Sequence, residues 1–177
     1  MSEKINAVIL GASGYVGGEL LRLVAGHPEL RLAAAVSESC RGQAIAATFG
    51  HLSGACGEQA FAGYDDWLET VGEGSRLALF SAAPHGSSAA LIKGALVAAA
   101  SKDIEVHVVD SSADFRYGNQ LDYEVVYGSE HGAPELLDEF FCALPEHVDA
   151  PRRDHVGHPG CFATATLLAT VPLVASG

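Results

Sequence analysis

Apolar residues along this chain come in short runs of strand length, alternating with stretches where they recur three and four apart. Ile5-Asn6-Ala7-Val8-Ile9-Leu10 is the first run. It passes at once into Gly11-Ala12-Ser13-Gly14-Tyr15-Val16-Gly17-Gly18, and Glu19-Leu20-Leu21-Arg22-Leu23-Val24 then spaces its apolar positions as a helix does, stopping near Gly26-His27-Pro28. Leu30 to Val36 predicts the second strand of a βαβ unit, Arg76 to Ser81 a third strand, and Ile104 to Asp110 a fourth. Between the last two, Ser87 and Ser88 are expected to cap a helix reaching about Ala100. Asp65-Asp66-Trp67-Leu68 predicts a helical turn with an acidic N-cap and an aromatic anchor, whereas residues 42–64 carry no clear period. Further on, Pro134 to Phe141 predicts a short helix, Leu144-Pro145-Glu146 a return to the sheet, and Thr164 to Val174 a final helix.

Strands alternating with helices imply an α/β fold with a doubly wound, mostly parallel sheet. Ligands of such sheets gather at the carboxyl ends of the strands. That edge collects Gly11 to Gly17, Ser37 to Arg41, Ala82 to Gly86 and Ser111 to Arg116. The length of 177 residues suits one domain with a full core and is too short for two large ones. The final helix reads as the first of something further. Residues 1–156 are therefore expected as a nucleotide-binding Rossmann-type domain, and 157–177 as the start of a truncated second, α+β catalytic domain.

Composition narrows the partners. A net charge of −12 opposes nucleic acid and anionic membranes, so an anionic small substrate must be met by a few local donors. No run approaches the roughly 20 apolar residues of a membrane span, and the first six residues leave no room for a signal peptide, which together predict a cytoplasmic location. Cys40, Cys56, Cys142 and Cys161 show no paired spacing. Disulfides are not expected, and a zinc site from Cys40, His51 and Cys56 lacks the usual ligand pattern, so no metal is expected.

The glycine turn is the first candidate site. Its G-x-x-G-x-x-G spacing differs from the commoner G-x-G-x-x-G, yet Gly11 permits the tight turn, Gly14 lets a pyrophosphate approach the backbone, and Gly17 lets helix and strand pack closely. Ala12, Ser13, Tyr15 and Val16 complete the cradle, with phosphates expected on the helix N-terminus. Such turns also occur for packing reasons alone. Ser37, Ser39 and Arg41 suit a 2′-phosphate and favour NADP, while Glu38 would favour NAD if its carboxylate faced the ribose. Ala83-Pro84-His85-Gly86 lies at the same cofactor edge, although a loop histidine is as readily held by backbone or solvent. Arg116 offers a fork for a phosphate or carboxylate, with an ion pair to Asp114 as the alternative, and Ser112 and Gly160 join it as candidate substrate contacts. Arg152-Arg153 predicts a solvated loop.

Cys161 follows a Pro159-Gly160 turn at the start of the last apolar run. A thiol beside the unpartnered N–H groups of a helix start ionises more readily, and those groups also suit an oxyanion at the carbon that sulfur attacks. An isolated cysteine is otherwise most often a small buried hydrophobe.

Taken together, the glycine turn, Pro84-His85-Gly86, Ser112-Ala113-Asp114-Phe115-Arg116, His131-Gly132-Ala133-Pro134-Glu135-Leu136 and Pro159-Gly160-Cys161 resemble the N-acetyl-gamma-glutamyl-phosphate reductases from residue 5 to about 175. Related aspartate-semialdehyde dehydrogenases share the glycine turn and a catalytic cysteine, but theirs usually sits in an Asn-Cys pair. His158 stands where the family often has asparagine or valine, and Phe162 where tyrosine is usual. The resemblance implies NADPH-dependent reduction of N-acetylglutamyl phosphate through a thioester on Cys161, in arginine biosynthesis, with inorganic phosphate as the other product and a homo-oligomeric assembly. It also implies a catalytic histidine beyond Gly177, a role that neither His155 nor His158 is expected to fill. Reduction of an aminoadipate, carrier-linked or aspartyl acyl phosphate is the alternative within the same chemistry, and a non-catalytic nucleotide-binding module the alternative outside it.

Overall fold

The computed structural model describes residues 4–150 and 152–177. Six strands form one sheet in the order β2-β1-β3-β4-β6-β5: β1 (Ile5–Leu10), β2 (Leu30–Val36), β3 (Arg76–Ser81), β4 (Glu105–Asp110), β5 (Phe140–Cys142) and β6 (His155–Gly157). Every neighbouring pair is parallel. The helices are α1 (Tyr15–Ala25), α2 (Ile45–Thr48), α3 (Ser53–Cys56), α4 (Ser88–Ala100), α5 (Gln120–Tyr127) and α6 (Cys161–Ala175).

The alternation of β1 divides the core. Val8 and Leu10 join Val36, Leu77, Leu79, Ile92 and Val108 on the face covered by α4. Ala7 and Ile9 join Leu21, Val24, Ala35 and Ile45 on the face covered by α1. A strand buried on both faces is the arrangement that a continuous apolar run predicts, and each fully buried leucine, isoleucine or valine contributes about 1.5–3 kcal/mol. On β4, by contrast, Glu105, His107 and Val109 are exposed. Beside them an apolar cavity of about 500 Å³ is lined by Val109, Phe141, Pro145, Val148, Val156 and His158. No described helix is long and apolar enough to cross a membrane.

The structure differs from the periodicity in several places: α6 begins at Cys161 rather than Thr164, and α5 was not expected. Helix α1 begins at Tyr15, inside the stretch read as a glycine turn, because Gly17 and Gly18 conceal its period. Residues 42–64 hold α2, α3 and a 3-10 turn at Gly50–Leu52. Asp66 does not cap the 3-10 turn Trp67–Thr70; its carboxylate accepts instead from Gly63 N–H at 2.9 Å. Ser87 makes no side-chain cap on α4. Finally, Pro134–Glu139 is a 3-10 turn, and Phe140 to Cys142 leaves it as strand β5, with Phe140 stacked on Phe115 at 3.6 Å between centroids.

Candidate active site

Three helices begin at the carboxyl edge of the sheet, after β1, β3 and β6. Each start is finished differently.

At α1 the cap is Gly14, with no side chain on the first N–H groups. Gly11 adopts φ +70°, and a Cβ there would lie 2.7 Å from the Ala82 carbonyl. At Gly17 a Cβ would lie 2.6 Å from the Ala12 backbone, so the glycine sets how closely α1 approaches the turn. Gly14 meets only the Gly11 oxygen, at 3.6 Å, and leaves its open side to a ligand. A cleft of about 390 Å³ follows, lined by Gly11, Ser13, Gly14, Ser37, Glu38, Ser39, Tyr64, Ala82 and Pro84. Ala12 is buried with its N–H on Val36 O, while Tyr15 and Val16 are exposed on the first turn of α1. The glycine cradle and the unpartnered N–H groups of α1 fit a dinucleotide pyrophosphate.

At the far end of that cleft, Ser13 and Ser37 hydroxyls are 2.7 Å apart and Ser39 lies 3.3 Å from Ser37. Arg41 does not line the cleft. Its guanidinium lies over Gly63, donates to Asp66 at 2.6 Å and sits 3.8 Å from Glu38. Glu38 in turn accepts from Tyr64 N–H at 3.2 Å. The guanidinium expected at a 2′-phosphate is therefore engaged by two carboxylates.

At α4 the helix start is filled by the protein itself. Asp114 accepts from Gly86 N–H at 2.7 Å, Ala89 N–H at 3.0 Å and the Tyr123 hydroxyl at 3.2 Å. Asp110 accepts from Ser88 and Ser112 hydroxyls at 2.7 and 2.6 Å and from Ser112 N–H at 3.1 Å. Burial nonetheless raises the Asp110 carboxyl above the ordinary carboxylate range, against the hydrogen bonds from Ser112 and Ser88. His85 accepts from Ala113 N–H at 2.9 Å, and Ala83 is buried. The Pro84-His85-Gly86 loop is thus sewn to the Ser112–Arg116 loop, and the Ser112 hydroxyl is spent on Asp110 rather than turned outward.

At α6 the cap is Gly160, at φ +105° and ψ 156°. A Cβ there would also lie 3.0 Å from the Arg116 guanidinium, so the conformation favours glycine and a side chain would press on Arg116. Arg116 donates through Nε to His158 O at 3.1 Å and through Nη1 to the Tyr127 hydroxyl at 3.3 Å. It is no partner of Asp114. Cys161 is the exposed first residue of α6, beside N–H groups that have no intrahelical acceptor. His155 is turned into the sheet, accepting from Val108 N–H at 3.3 Å, and burial lowers its basicity. His158 faces Gly160 and Thr164.

The structure therefore brings Gly11, Ser13, Gly14, Ser37, Ser39 and Pro84 to one cleft, and Arg116, Gly160 and Cys161 to one turn. It leaves Arg41 outside the cleft and Ser112 inside the protein. Sequence reasoning missed Tyr64, which reaches the cleft from a distant loop without a local signal. It also missed the roles of Asp110 and Asp114, although carboxylates flanking serines at a strand end are a visible sign of side chains serving the backbone.

A parallel sheet with a glycine cleft at its carboxyl edge is the arrangement of a dinucleotide-binding domain. The model of the semialdehyde dehydrogenase, NAD binding domain matches residues 6–140, and the chain belongs to that family. It is 36% identical over 178 residues to the N-acetyl-gamma-glutamyl-phosphate reductase of Methanosarcina mazei, covering 100% of this chain and 48% of the relative. It is 38% identical, also over 178 residues, to an Aeropyrum pernix protein named for LysW-L-2-aminoadipate/LysW-L-glutamate phosphate reductase activity, covering 99% and 47%. The chain thus spans about half the length of these relatives. The crystal structure of aspartate semialdehyde dehydrogenase with NADP from Candida albicans shares the fold, with a TM-score of 0.50 and 19% identity over 75% of this chain and 41% of that one.

Proposed function

We propose that this chain is the dinucleotide-binding and thiol-bearing part of an NADPH-dependent acyl-phosphate reductase, which converts N-acetylglutamyl 5-phosphate to N-acetylglutamate 5-semialdehyde and phosphate. The observation that carries the reading is the pairing, at one sheet edge, of the glycine cleft with an exposed cysteine on an open helix start. In this reading residues 1–156 hold the nucleotide and 157–177 begin the catalytic domain.

The Cys161 thiolate attacks the acyl-phosphate carbon. The bond from that carbon to the phosphate oxygen breaks, phosphate leaves, and a thioester remains on sulfur. The N–H groups at the start of α6 stabilise the oxyanion, and Arg116 fixes their direction by holding the His158 carbonyl and filling the space behind Gly160. The glycine cleft of Gly11, Ser13 and Gly14 would hold a reduced nicotinamide dinucleotide, which would supply the hydride that reduces the thioester, leaving the electrons of the broken carbon–sulfur bond on the Cys161 sulfur and releasing the aldehyde. Ser37, Ser39 and Arg41 are assigned to the 2′-phosphate of NADP. The enzyme is read as a cytoplasmic homo-oligomer acting on small molecules, with neither nucleic acid nor membrane as a partner.

A second reading, reduction of a LysW-linked aminoadipyl or glutamyl phosphate, is favoured by the Aeropyrum pernix relative. The test is phosphate-dependent NADP⁺ reduction by the protein expressed from its full reading frame, with N-acetylglutamate semialdehyde, a carrier-linked semialdehyde and aspartate semialdehyde compared. Activity confined to the acetylated substrate, and lost in Cys161→Ser, is expected. Activity confined to the carrier-linked substrate replaces this reading with the second. Dinucleotide binding without turnover on any of the three leaves a binding module.

A further inference from the structure

We propose that His158 is the positioning residue for Cys161, its neutral imidazole bridging Gly160 N–H and Thr164 Oγ1 so that the start of α6 is held from both sides of the cysteine. The inference rests on Cys161 being the nucleophile of the proposed reaction.

The geometry is specific. His158 Nδ1 accepts from Gly160 N–H at 3.1 Å. The proton must then be on Nε2, which lies 3.2 Å from Thr164 Oγ1 and donates to it. Gly160 is the cap and has no side chain; the imidazole accepts from the cap's own N–H, the donor that an N3 glutamate serves in a capping box. The backbone of His158 is itself fixed, its N–H donating to Asp110 O at 2.8 Å and its carbonyl accepting from Arg116. None of these bonds involves the sulfur, and His158 moves no proton in the reaction.

The bridge exists only for the uncharged ring, since a protonated imidazole has no acceptor for Gly160 N–H. The groups facing the ring agree with that requirement. Burial lowers its basicity, the Arg116 guanidinium lowers it further, and the Asp110 carboxyl acts the other way. Asp149 rims the apolar cavity on the ring's far side.

The test reads iodoacetamide alkylation of Cys161 by peptide-resolved mass spectrometry, alongside kcat and KM, in the protein from its full reading frame. His158→Ala should slow alkylation and kcat by about fivefold, the factor that one lost hydrogen bond of about 1 kcal/mol gives, with the dinucleotide KM unchanged. His158→Asn should restore most of it, because an asparagine Oδ1 accepts the same i+2 N–H in an Asx-turn. Thr164→Val should fall between the two. The wild-type alkylation profile should carry an inflection below histidine's ordinary range that His158→Asn lacks, as asparagine does not titrate. Wild-type reactivity in His158→Ala, or an Asn variant no better than Ala, overturns the proposal. If His158→Ala does not fold, matching pH profiles for wild type and His158→Asn overturn it instead. Turnover surviving in Cys161→Ser would overturn the proposed function, while the alkylation comparison would still decide the bridge.

Discussion

Alanine at Gly17 would place a methyl carbon 2.6 Å from the Ala12 backbone, whereas alanine at Gly14 would meet nothing closer than 3.6 Å. The two glycines sit three residues apart in one turn and should fail in opposite ways. To reach an ordinary carbon contact of about 3.5–4.0 Å, α1 must retreat from the turn by roughly 1 Å. Overpacking of this kind costs about 1–3 kcal/mol, and the helix propensity gained over glycine returns up to about 1 kcal/mol. Gly17→Ala should therefore lose on the order of 1–2 kcal/mol, lowering Tm by roughly 2–8 °C in a chain of this size. Gly14 has φ −80°, which alanine adopts freely, so Gly14→Ala should keep its stability. Its methyl group instead occupies the side from which a phosphate approaches. Pushing one charge-assisted hydrogen bond of about 1.5–3 kcal/mol out of range weakens NADPH binding by about tenfold or more. Thermal unfolding by circular dichroism and NADPH fluorescence titration separate the two effects. A Gly17→Ala variant as stable as the parent, or a Gly14→Ala variant that binds as tightly, would refute the assignment of these glycines.

Other expectations follow from the same edge. Asp66→Asn should release Arg41 and raise the preference for NADPH over NADH, and adding Arg41→Ala should cancel that gain while leaving NADH unchanged; equal effects on both nucleotides would place the 2′-phosphate elsewhere. Burial raises the Asp110 carboxyl, so the folded chain holds its proton more tightly than the unfolded one. Its stabilising contribution is full below the unfolded value near about pH 4 and is lost as pH rises through the folded value. Urea denaturation should show wild type losing stability relative to Asp110→Asn as pH climbs, and a constant difference would refute this. Phe140→Ala removes the ring stacked on Phe115 from the edge strand and should cost about 3–5 kcal/mol by the same assay.

What was legible in the chain was what neighbours in sequence decide. The run Ile5 to Leu10, the glycines after it and the apolar spacing of α1 lie within one βαβ unit, and their order alone placed the cleft. Cys161 at the first position of α6 was legible for the same reason, because Pro159 and Gly160 stop one element just before the next begins. What distant contacts decide was hidden. Phe140 to Cys142 has the apolar content of a helix end, and becomes a strand because it pairs with β6, later in sequence, and seats Phe140 on Phe115. Ser87 looked like the cap of α4, yet the carboxylate that serves that helix is Asp114. Arg41 looked free to bind a phosphate, and Asp66 holds it.

The carboxylate at α4 bears on how a chain of net charge −12 could hold the two anionic ligands of the proposed reaction at one edge. An open helix start attracts negative charge through its dipole and unpartnered N–H groups, within about the first turn. Asp114 occupies the start of α4, between the other two, and so removes it as a competitor for phosphate. The starts of α1 and α6 are left with glycine caps and no acidic residue in the first turn. Arg116, lodged behind the α6 cap, adds the one full positive charge at that turn. Of the three helix starts at this edge, the two left open to anions are thereby the one at the nucleotide-sized cleft and the one that carries the thiol. Arg116→Gln should lower acyl-phosphate affinity more than dinucleotide affinity, with a steeper loss at low ionic strength, where unscreened repulsion from the chain is greatest.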